Sequence, residues 1–236
     1  MINEWDLTQT NQARILKKPP TVAVIGASAI EAHNYHLPEG QDFLHTDAIV
    51  KRVTKIAWDK TKSVICLPTL PYGVDCNLMD FPLTIHVRQS TLDLMITEIV
   101  SSLNHHGIKK ILLINGHGGN EFSALIRQIQ SDLDVHMFWC NMYEVGKDKH
   151  KNIFDNIDDH AGELETSIAL ALFPELVERI SRNKRDLADA LTADGLLVLS
   201  CTPTSFMLIE LCTAGLHCST PCQLRQIWQK PSKTCR

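Results

Sequence analysis

The sequence lacks three features that would direct the protein to a nucleic acid, a membrane or a secretory route. It has no basic excess, since 23 lysines and arginines stand against 27 acidic residues and give a formal charge of −4. It has no uninterrupted apolar run of about 18 residues, the length that suggests a membrane-spanning helix. Residues 1–6 have neither the basic nor the apolar region of a secretory signal. These absences predict a cytoplasmic protein that binds a small molecule, with no nucleic acid and no membrane as partner.

The composition is that of an ordinary globular domain. Apolar residues make up 44% and charged residues 21% of the 236 positions, enough for a substantial core in one domain. We find no internal repeat. The character changes after residue 196, where cysteines crowd together and proline and threonine interrupt the helical pattern. We therefore expect a single domain over residues 1–236, with an atypical tail at 196–236.

Segments with strand and helix periodicity alternate along the chain. Short apolar runs bounded by turn residues predict strands, and apolar residues every three or four positions predict helices. In order, the pattern predicts a strand at 21–26, a helix at 44–58, a strand at 63–67, a helix at 91–106, a strand at 110–114, a helix at 121–133, a strand at 135–140 and a helix at 163–173. Such alternation is typical of an α/β fold. We predict a three-layer α/β/α sandwich with a mainly parallel sheet.

Histidines and acidic residues follow two of the predicted strands. Residues 114–120, Ile-Asn-Gly-His-Gly-Gly-Asn, place His117 among three glycines directly after an apolar strand. Residues 31–42 follow the first strand and contain Glu31, His33 and Asp42. Ligands in α/β sheets bind outside the carboxyl ends of strands, so both segments lie where chemistry is expected. Imidazole and carboxylate together are typical ligands of zinc, manganese or iron in hydrolases.

Each of these residues also admits a structural role when it is taken singly. Glu31 can cap a helix, His33 can bond a loop, and Asp42 can be the acidic residue before the helix predicted from 44. Taken as a set, they favour metal binding. Glu31 and His33 are two positions apart, so in an extended segment both side chains leave the same face and can hold one ion or two adjacent ions.

A third polar cluster precedes the last predicted helix. Residues 158–167 read Asp-Asp-His-Ala-Gly-Glu-Leu-Glu-Thr-Ser and include His160, Glu163 and Glu165. One interpretation is that the acidic first turn merely complements the helix dipole. The other is catalytic, because a histidine can protonate a leaving amine, and a glutamate can bind a metal ion or act as a general base.

Five motifs of the chain together resemble the creatininase (creatinine amidohydrolase) family. They are a strand-end Glu-x-His, a His-Leu-Pro, an Asp eleven residues after the Glu, an Asn-Gly-His-Gly-Gly-Asn loop and a His-Ala-Gly-Glu-x-Glu-Thr-Ser segment. In this sequence they stand at Glu31 with His33, at 36–38, at Asp42, at 115–120 and at 160–167. The resemblance covers residues 20–178 and is to a branch with this histidine loop rather than to creatininase itself.

The resemblance implies an α/β/α fold with two divalent metal ions and a metal-bound hydroxide as nucleophile. It implies that one ion is bound by Glu31, Asp42 and His117. It implies that His33 and Asp42 bind the other ion, so that Asp42 serves both. It also assigns proton transfer on the substrate side to His160, which makes this histidine a candidate catalytic residue.

The chain departs from the family pattern at Gly119, where creatininase itself has a glutamate that binds the second ion. Glu165, Glu163 or a water then completes that ligand set. We favour Glu165 as the ligand, because His160 and Glu163 lie on one face once the helix begins, whereas Glu165 leaves from a different side. Glu163 is accordingly a candidate catalytic residue.

The expected function is metal-dependent hydrolysis of a non-peptide C–N bond in a cyclic amide, lactam or formamide. The expected cofactors are two divalent ions of zinc, manganese or iron, and the expected partner is a small-molecule amide substrate in a homo-oligomeric enzyme. Nucleotide binding is the weaker alternative, because Ser28 and Glu31 stand where the dinucleotide fingerprint needs glycine. A family member that binds metal but is catalytically inactive is the other alternative.

Overall fold

A computed structural model of the chain describes residues 2–155 and 160–178, so the tail predicted at 196–236 lies outside the described residues. In chain order, its helices and strands are α1 (Gln12–Lys17), β1 (Val22–Ala27), α2 (Gln41–Thr61), β2 (Val64–Cys66), α3 (Gln89–His105), β3 (Lys110–Asn115), α4 (Ser123–Asp132), β4 (His136–Asn141), α5 (Lys147–Ile153) and α6 (Glu163–Leu172). Single 3₁₀ turns, Met142–Glu144 and Pro174–Leu176, follow β4 and α6.

The chain divides into two compact units, which are described separately below. The first unit is Met1–Glu31 with Asp42–Lys147, and it contains the four described strands. The second unit is Ala32–Gln41 with Asp148–Arg236. The expectation of one domain over the whole chain stays a prediction.

The strands of the first unit form a parallel sheet in the order β2-β1-β3-β4. β1 pairs with β3 from Val22 opposite Lys110 to Ala27 opposite Asn115. The chain moves to one side of β1 to form β2 and to the other side to form β3 and β4. The strand order therefore reverses between β1 and β3, and the crevice at their carboxyl ends is the preferred position for a ligand.

Two apolar clusters cover the two faces of this sheet. Neighbouring residues of a strand point to opposite faces, so Ala23 and Ile25 of β1 pack with the apolar residues of α3 and α4. Val24 points the other way and packs in a cluster with Val50 of α2. The first unit thus has helices on both sides of a parallel sheet. The predicted α/β class and its parallel sheet are confirmed.

The differences from the predicted elements have simple physical causes. α2 begins at Gln41 rather than at residue 44, so Asp42 lies in its first turn, before the apolar periodicity that marks the helix. The short helices α1 and α5 contain no buried residue and therefore leave no apolar pattern in the sequence. Among the described helices, none is long and apolar enough to cross a membrane.

Candidate metal centre

The first unit gathers one histidine and three carboxylates at the carboxyl edge of its sheet. We call Glu31, Asp42, Asp75 and His117 the His117 cluster. His117 Nδ1 lies 2.8 Å from Asp42 Oδ2 and 3.0 Å from Glu31 Oε1, and His117 Nε2 lies 2.9 Å from Asp75 Oδ1. All four side chains are at most 5% exposed. The cluster therefore joins the segments that follow β1, β2 and β3 to the start of α2.

The charge of the His117 cluster favours a further cation. Burial lowers the pKa of His117, but its hydrogen bonds to the three carboxylates raise the pKa more, and the net shift is strongly upward. Even with a protonated imidazole, three buried carboxylates leave an excess of negative charge, which is costly in a low-dielectric site. One ligand atom each from Glu31, Asp42 and His117 lies within 4.8 Å of the others. This donor set fits a divalent cation such as zinc, manganese or iron.

The glycines of the loop after β3 permit close approaches that fix His117. A Cβ added at Gly116 would collide with Thr46 Oγ1, and one added at Gly119 would collide with the Val74 carbonyl oxygen. Asn115 braces the same loop, since its Nδ2 donates to the His117 carbonyl oxygen at 2.8 Å. The path of the loop therefore leaves no room for a side chain at 119, and this position cannot supply a metal ligand without a shift of the backbone.

Asp75 and Tyr143 belong to this site although neither was predicted. Tyr143 follows β4, and its hydroxyl lies 2.7 Å from the Gly116 carbonyl oxygen and 3.2 Å from Asp42 Oδ1, so it can donate its hydrogen to either. Asp75 lies in the loop after β2, within a segment that the sequence marked only as rich in turn residues. The signal that identifies His117, a polar side chain shortly beyond a strand end, also applies to Tyr143 after β4, but Asp75 lies too far beyond β2 for that signal.

The second unit brings together His33, His160 and Glu165, which we call the His33 cluster. His33 Nε2 lies 3.6 Å from Glu165 Oε2, and the rings of His33 and His160 are 4.4 Å apart with a tilt of 46°. Glu165 Oε2 also accepts a hydrogen bond from the Ala161 amide at 2.5 Å. His33 is completely buried and Glu165 is nearly so. An imidazole nitrogen and a carboxylate oxygen thus face each other in a buried position.

Glu163 is held differently from Glu165, although both lie in the first turn of α6. Its Oε2 accepts a hydrogen bond from the Asp155 amide at 2.9 Å, so this oxygen fixes the end of α5 to the start of α6. The structure therefore pairs His33 with Glu165 rather than with Glu163. The metal-binding role of Glu165 and the catalytic role of Glu163 both stay predictions.

His36 connects the segment Ala32–Gln41 to α6. Its Nε2 lies 2.8 Å from Thr166 Oγ1, and its carbonyl oxygen accepts a hydrogen bond from the Glu178 amide at 2.8 Å. Burial is the main cause that lowers the pKa of His36, to about 4, and the neighbouring His33 adds to the effect. His36 is therefore neutral in the folded protein at neutral pH. It serves as a structural hydrogen-bonding residue in the His-Leu-Pro motif.

The variant His36→Gln should make the free energy of unfolding depend less on pH. The pKa of His36 is about 4 in the folded chain against 6.5 for the ordinary group. Between these two pH values the unfolded chain binds a proton at His36 more readily than the folded chain does. The contribution of neutral His36 to the free energy of unfolding is therefore full above pH 6.5. It falls by about 3 kcal/mol as the pH falls towards 4. Urea unfolding across this range should show a flatter slope for His36→Gln, whereas the exposed His105→Gln should keep the wild-type slope. Equal slopes for all three proteins would contradict this assignment.

Comparison with known proteins relates the chain to hydrolases. The family model described as Creatininase, creatinine amidohydrolase, matches residues 5–208. Creatinine amidohydrolase of Pseudomonas putida is 26% identical over 177 residues, which cover 66% of this chain and 66% of that enzyme. Mycofactocin precursor peptide peptidase of Mycolicibacterium smegmatis is 24% identical over 187 residues, which cover 76% of this chain and 70% of that enzyme. The matched part thus spans just under two thirds of the Pseudomonas enzyme.

Solved structures give the same relationship. A crystal structure from Bacteroides fragilis, assigned as a creatinine amidohydrolase, has a TM-score of 0.68 and 30% identity and covers 84% of this chain and 81% of its own. Creatininase structures at 22–23% identity share the fold with TM-scores of 0.61–0.64, and they include a manganese form, a zinc form and a complex with creatine. The family model matches residues 5–208, and the His117 cluster lies at the edge of the sheet within this range. The chain therefore belongs to the creatininase family of hydrolases.

Proposed function

We propose that this chain is a metal-dependent amidohydrolase that cleaves a non-peptide C–N bond in a cyclic amide, lactam or formamide. The observation that carries the proposal is the His117 cluster, in which Glu31, Asp42 and His117 offer buried oxygen and nitrogen ligands at the carboxyl edge of the sheet. The names of the relatives support a hydrolase, and creatinine amidohydrolase supports an amide as the substrate. The substrate is thus proposed as a small molecule with one hydrolysable amide bond.

The proposed cofactors are two divalent ions. Glu31, Asp42 and His117 would hold the first, and His33 with Glu165 would contribute to the second. Creatininases have been solved in manganese and zinc forms, which supports these metals here, and the mixed nitrogen and oxygen ligands fit iron as well. Divalent ions bound to such ligands lower the pKa of water and stabilise negative charge that develops on a carbonyl oxygen.

His160 is the proposed proton donor to the leaving nitrogen. Its Nε2 lies 2.6 Å from the Ala32 carbonyl oxygen, and a carbonyl can only accept a hydrogen bond, so Nε2 carries a hydrogen. Nδ1 is then the ring atom that takes up and releases the exchangeable proton. The ring of His33 beside it limits the rotation of the imidazole. Glu163 is proposed to assist as a general base.

The choice between the two glutamates of α6 can be tested by metal content. Glu165→Gln should lose about one metal equivalent per chain, because Glu165 faces His33 Nε2 at 3.6 Å and a neutral amide is a weak ligand. Glu163→Gln should lose none, because Glu163 Oε2 is engaged by the Asp155 amide. Mass spectrometry of the metals in both purified variants measures this. The reverse pattern would transfer the ligand role to Glu163, and full content in both would indicate a water as the further ligand or a single-ion site.

The activity itself is tested with a panel of amides and a metal series. The metal-free protein should be inactive, and addition of zinc, manganese or iron should restore hydrolysis of at least one cyclic amide, lactam or formamide. Small linear peptides should be included, because one relative is named as a peptidase. Metal binding without hydrolysis of any substrate would support the inactive alternative instead.

The proposal extends to the assembly and the location of the protein. We propose a homo-oligomer in the cytoplasm, which follows the sequence prediction. Size-exclusion chromatography with light scattering would test the assembly, and a monomer at micromolar concentration would contradict it. Fractionation of cells that produce the protein would test its location.

A further inference from the structure

We infer that Asp75 is a positioning residue that accepts a hydrogen bond from His117 Nε2 and thereby directs His117 Nδ1 towards the first metal ion. This inference rests on the proposed metal site formed by Glu31, Asp42 and His117. It adds a residue that the sequence did not predict and assigns a separate task to each nitrogen of the imidazole.

The two nitrogens of His117 face different surroundings. Nδ1 lies 2.8 Å from Asp42 Oδ2 and 3.0 Å from Glu31 Oε1, the two carboxylates that share the candidate ion site. Nε2 lies 2.9 Å from Asp75 Oδ1 and 3.2 Å from the Val74 carbonyl oxygen. When a histidine binds a metal ion, the nitrogen on the other side of the ring carries a hydrogen and donates it. The acceptors at Nε2 therefore leave Nδ1 for the ion.

Among the described residues, the Asp75 carboxylate interacts with His117 alone. Its side chain is completely buried, and within residues 2–155 and 160–178 no hydrogen-bond donor other than His117 Nε2 reaches either carboxylate oxygen. A buried carboxylate in this state destabilises the fold unless a cationic or strongly donating group faces it. His117 Nε2 is the donor that faces it. The hydrogen bond can tighten when an ion binds at Nδ1 and polarises the ring.

The loop that carries Asp75 is held rigidly in place. The Val74 amide donates to Asn120 Oδ1 at 3.1 Å, and the Asp75 amide donates to His86 Nδ1 at 3.0 Å. A Cβ at Gly73 would come within 2.6 Å of the Ser28 carbonyl oxygen, so the loop packs closely against the chain that follows β1. The carboxylate is therefore set in position before any ligand binds, which is the condition for an effective supporting residue.

The inference predicts weaker metal binding when Asp75 loses its charge. Carboxylates that support a metal-bound histidine contribute roughly 10–100-fold to metal affinity. Asp75→Ala should weaken Zn²⁺ binding at the first site within this range, as measured by competition with a chromophoric chelator. Asp75→Asn, which can still accept a hydrogen bond, should weaken it less. Asp80→Asn, an exposed acidic residue in the same segment, should bind Zn²⁺ as the wild type does.

Two further readouts separate positioning from a ligand role and from a merely structural role. At saturating Zn²⁺, both Asp75 variants should still bind the wild-type number of ions. In the metal-free state, Asp75→Asn should unfold at the same urea concentration as the wild type or at a higher one, because it removes one of three neighbouring negative charges. NMR of the histidine side chains in the Zn²⁺-loaded protein should show a hydrogen on His117 Nε2, assigned with His117→Gln.

The outcomes distinguish this inference from the proposed function. A wild type that binds no ion through Glu31, Asp42 and His117 would overturn the proposed function and this inference with it. A wild type that binds Zn²⁺ while Asp75→Asn and Asp75→Ala bind it equally well would overturn this inference alone. Loss of an ion from the Asp75 variants at saturating Zn²⁺ would make Asp75 a metal ligand and would overturn this inference. A hydrogen on His117 Nδ1 in the Zn²⁺-loaded protein would exchange the tasks of the two ring nitrogens and would overturn it as well.

Discussion

Replacing Asp42 by asparagine is expected to remove the ion of the His117 cluster and to abolish most of the activity. Asparagine has the same shape and can still accept the hydrogen bond of Tyr143, so the fold should persist. It lacks the negative charge, however, and its amide is a poor ligand. Metal content should fall by about one equivalent per chain. Activity should fall by roughly 10²-fold or more, because a bound ion stabilises the transition state by several kcal/mol.

A matched control for this variant is Asp47→Asn on the same helix. Asp47 pairs with Lys51 at 2.6 Å and accepts a hydrogen bond from Thr69 at 3.1 Å, contacts that lie outside the His117 cluster. The control should keep its metal and its activity. Circular dichroism of both variants should match the wild type. Full metal content in Asp42→Asn would remove this carboxylate from the ligand set, and with it the main support for the first metal site.

Much of the first unit could be predicted because its determinants are local. An apolar run indicates a buried strand, and Glu31 and His117 stand four and two residues beyond the ends of two such strands. The sequence predicts Asp42 as a site residue but does not predict its place in the first turn of α2, because that turn is polar. The parallel sheet follows from the alternation of strands and helices.

The parts that could not be predicted depend on contacts between distant segments. Asp75 stands well beyond β2 in a loop whose path is set by Asn120 and His86, and no pattern near residue 75 records those partners. The second unit likewise combines residues 32–41 with residues from 148 onward. The choice between Glu163 and Glu165 depends on where α6 begins to within one residue. Such a boundary is the least certain quantity that a sequence provides.

Replacing His160 by glutamine is expected to lower kcat by roughly 10²–10⁴-fold while the metal content stays near that of the wild type. The glutamine amide can donate to the Ala32 carbonyl oxygen, as His160 Nε2 does at 2.6 Å, so the local structure should be kept. What is lost is the second ring nitrogen, the atom proposed to deliver a proton to the leaving group. The measurement is steady-state kinetics on the best amide of the panel, together with metal analysis.

The pH dependence of this variant separates proton transfer from a structural contribution. A general acid produces a limb in the profile of kcat against pH, and His160→Gln should lose that limb, whereas a variant with a loosened site would keep it at a lower rate. His150→Gln, in α5 of the same unit, should keep both the rate and the limb. Loss of metal together with activity would make His160 a ligand beside His33, whose ring lies 4.4 Å away, and an unchanged kcat would remove His160 from the reaction. Retained metal, a lost limb and a fall of at least about 10²-fold would together assign the proton to this histidine.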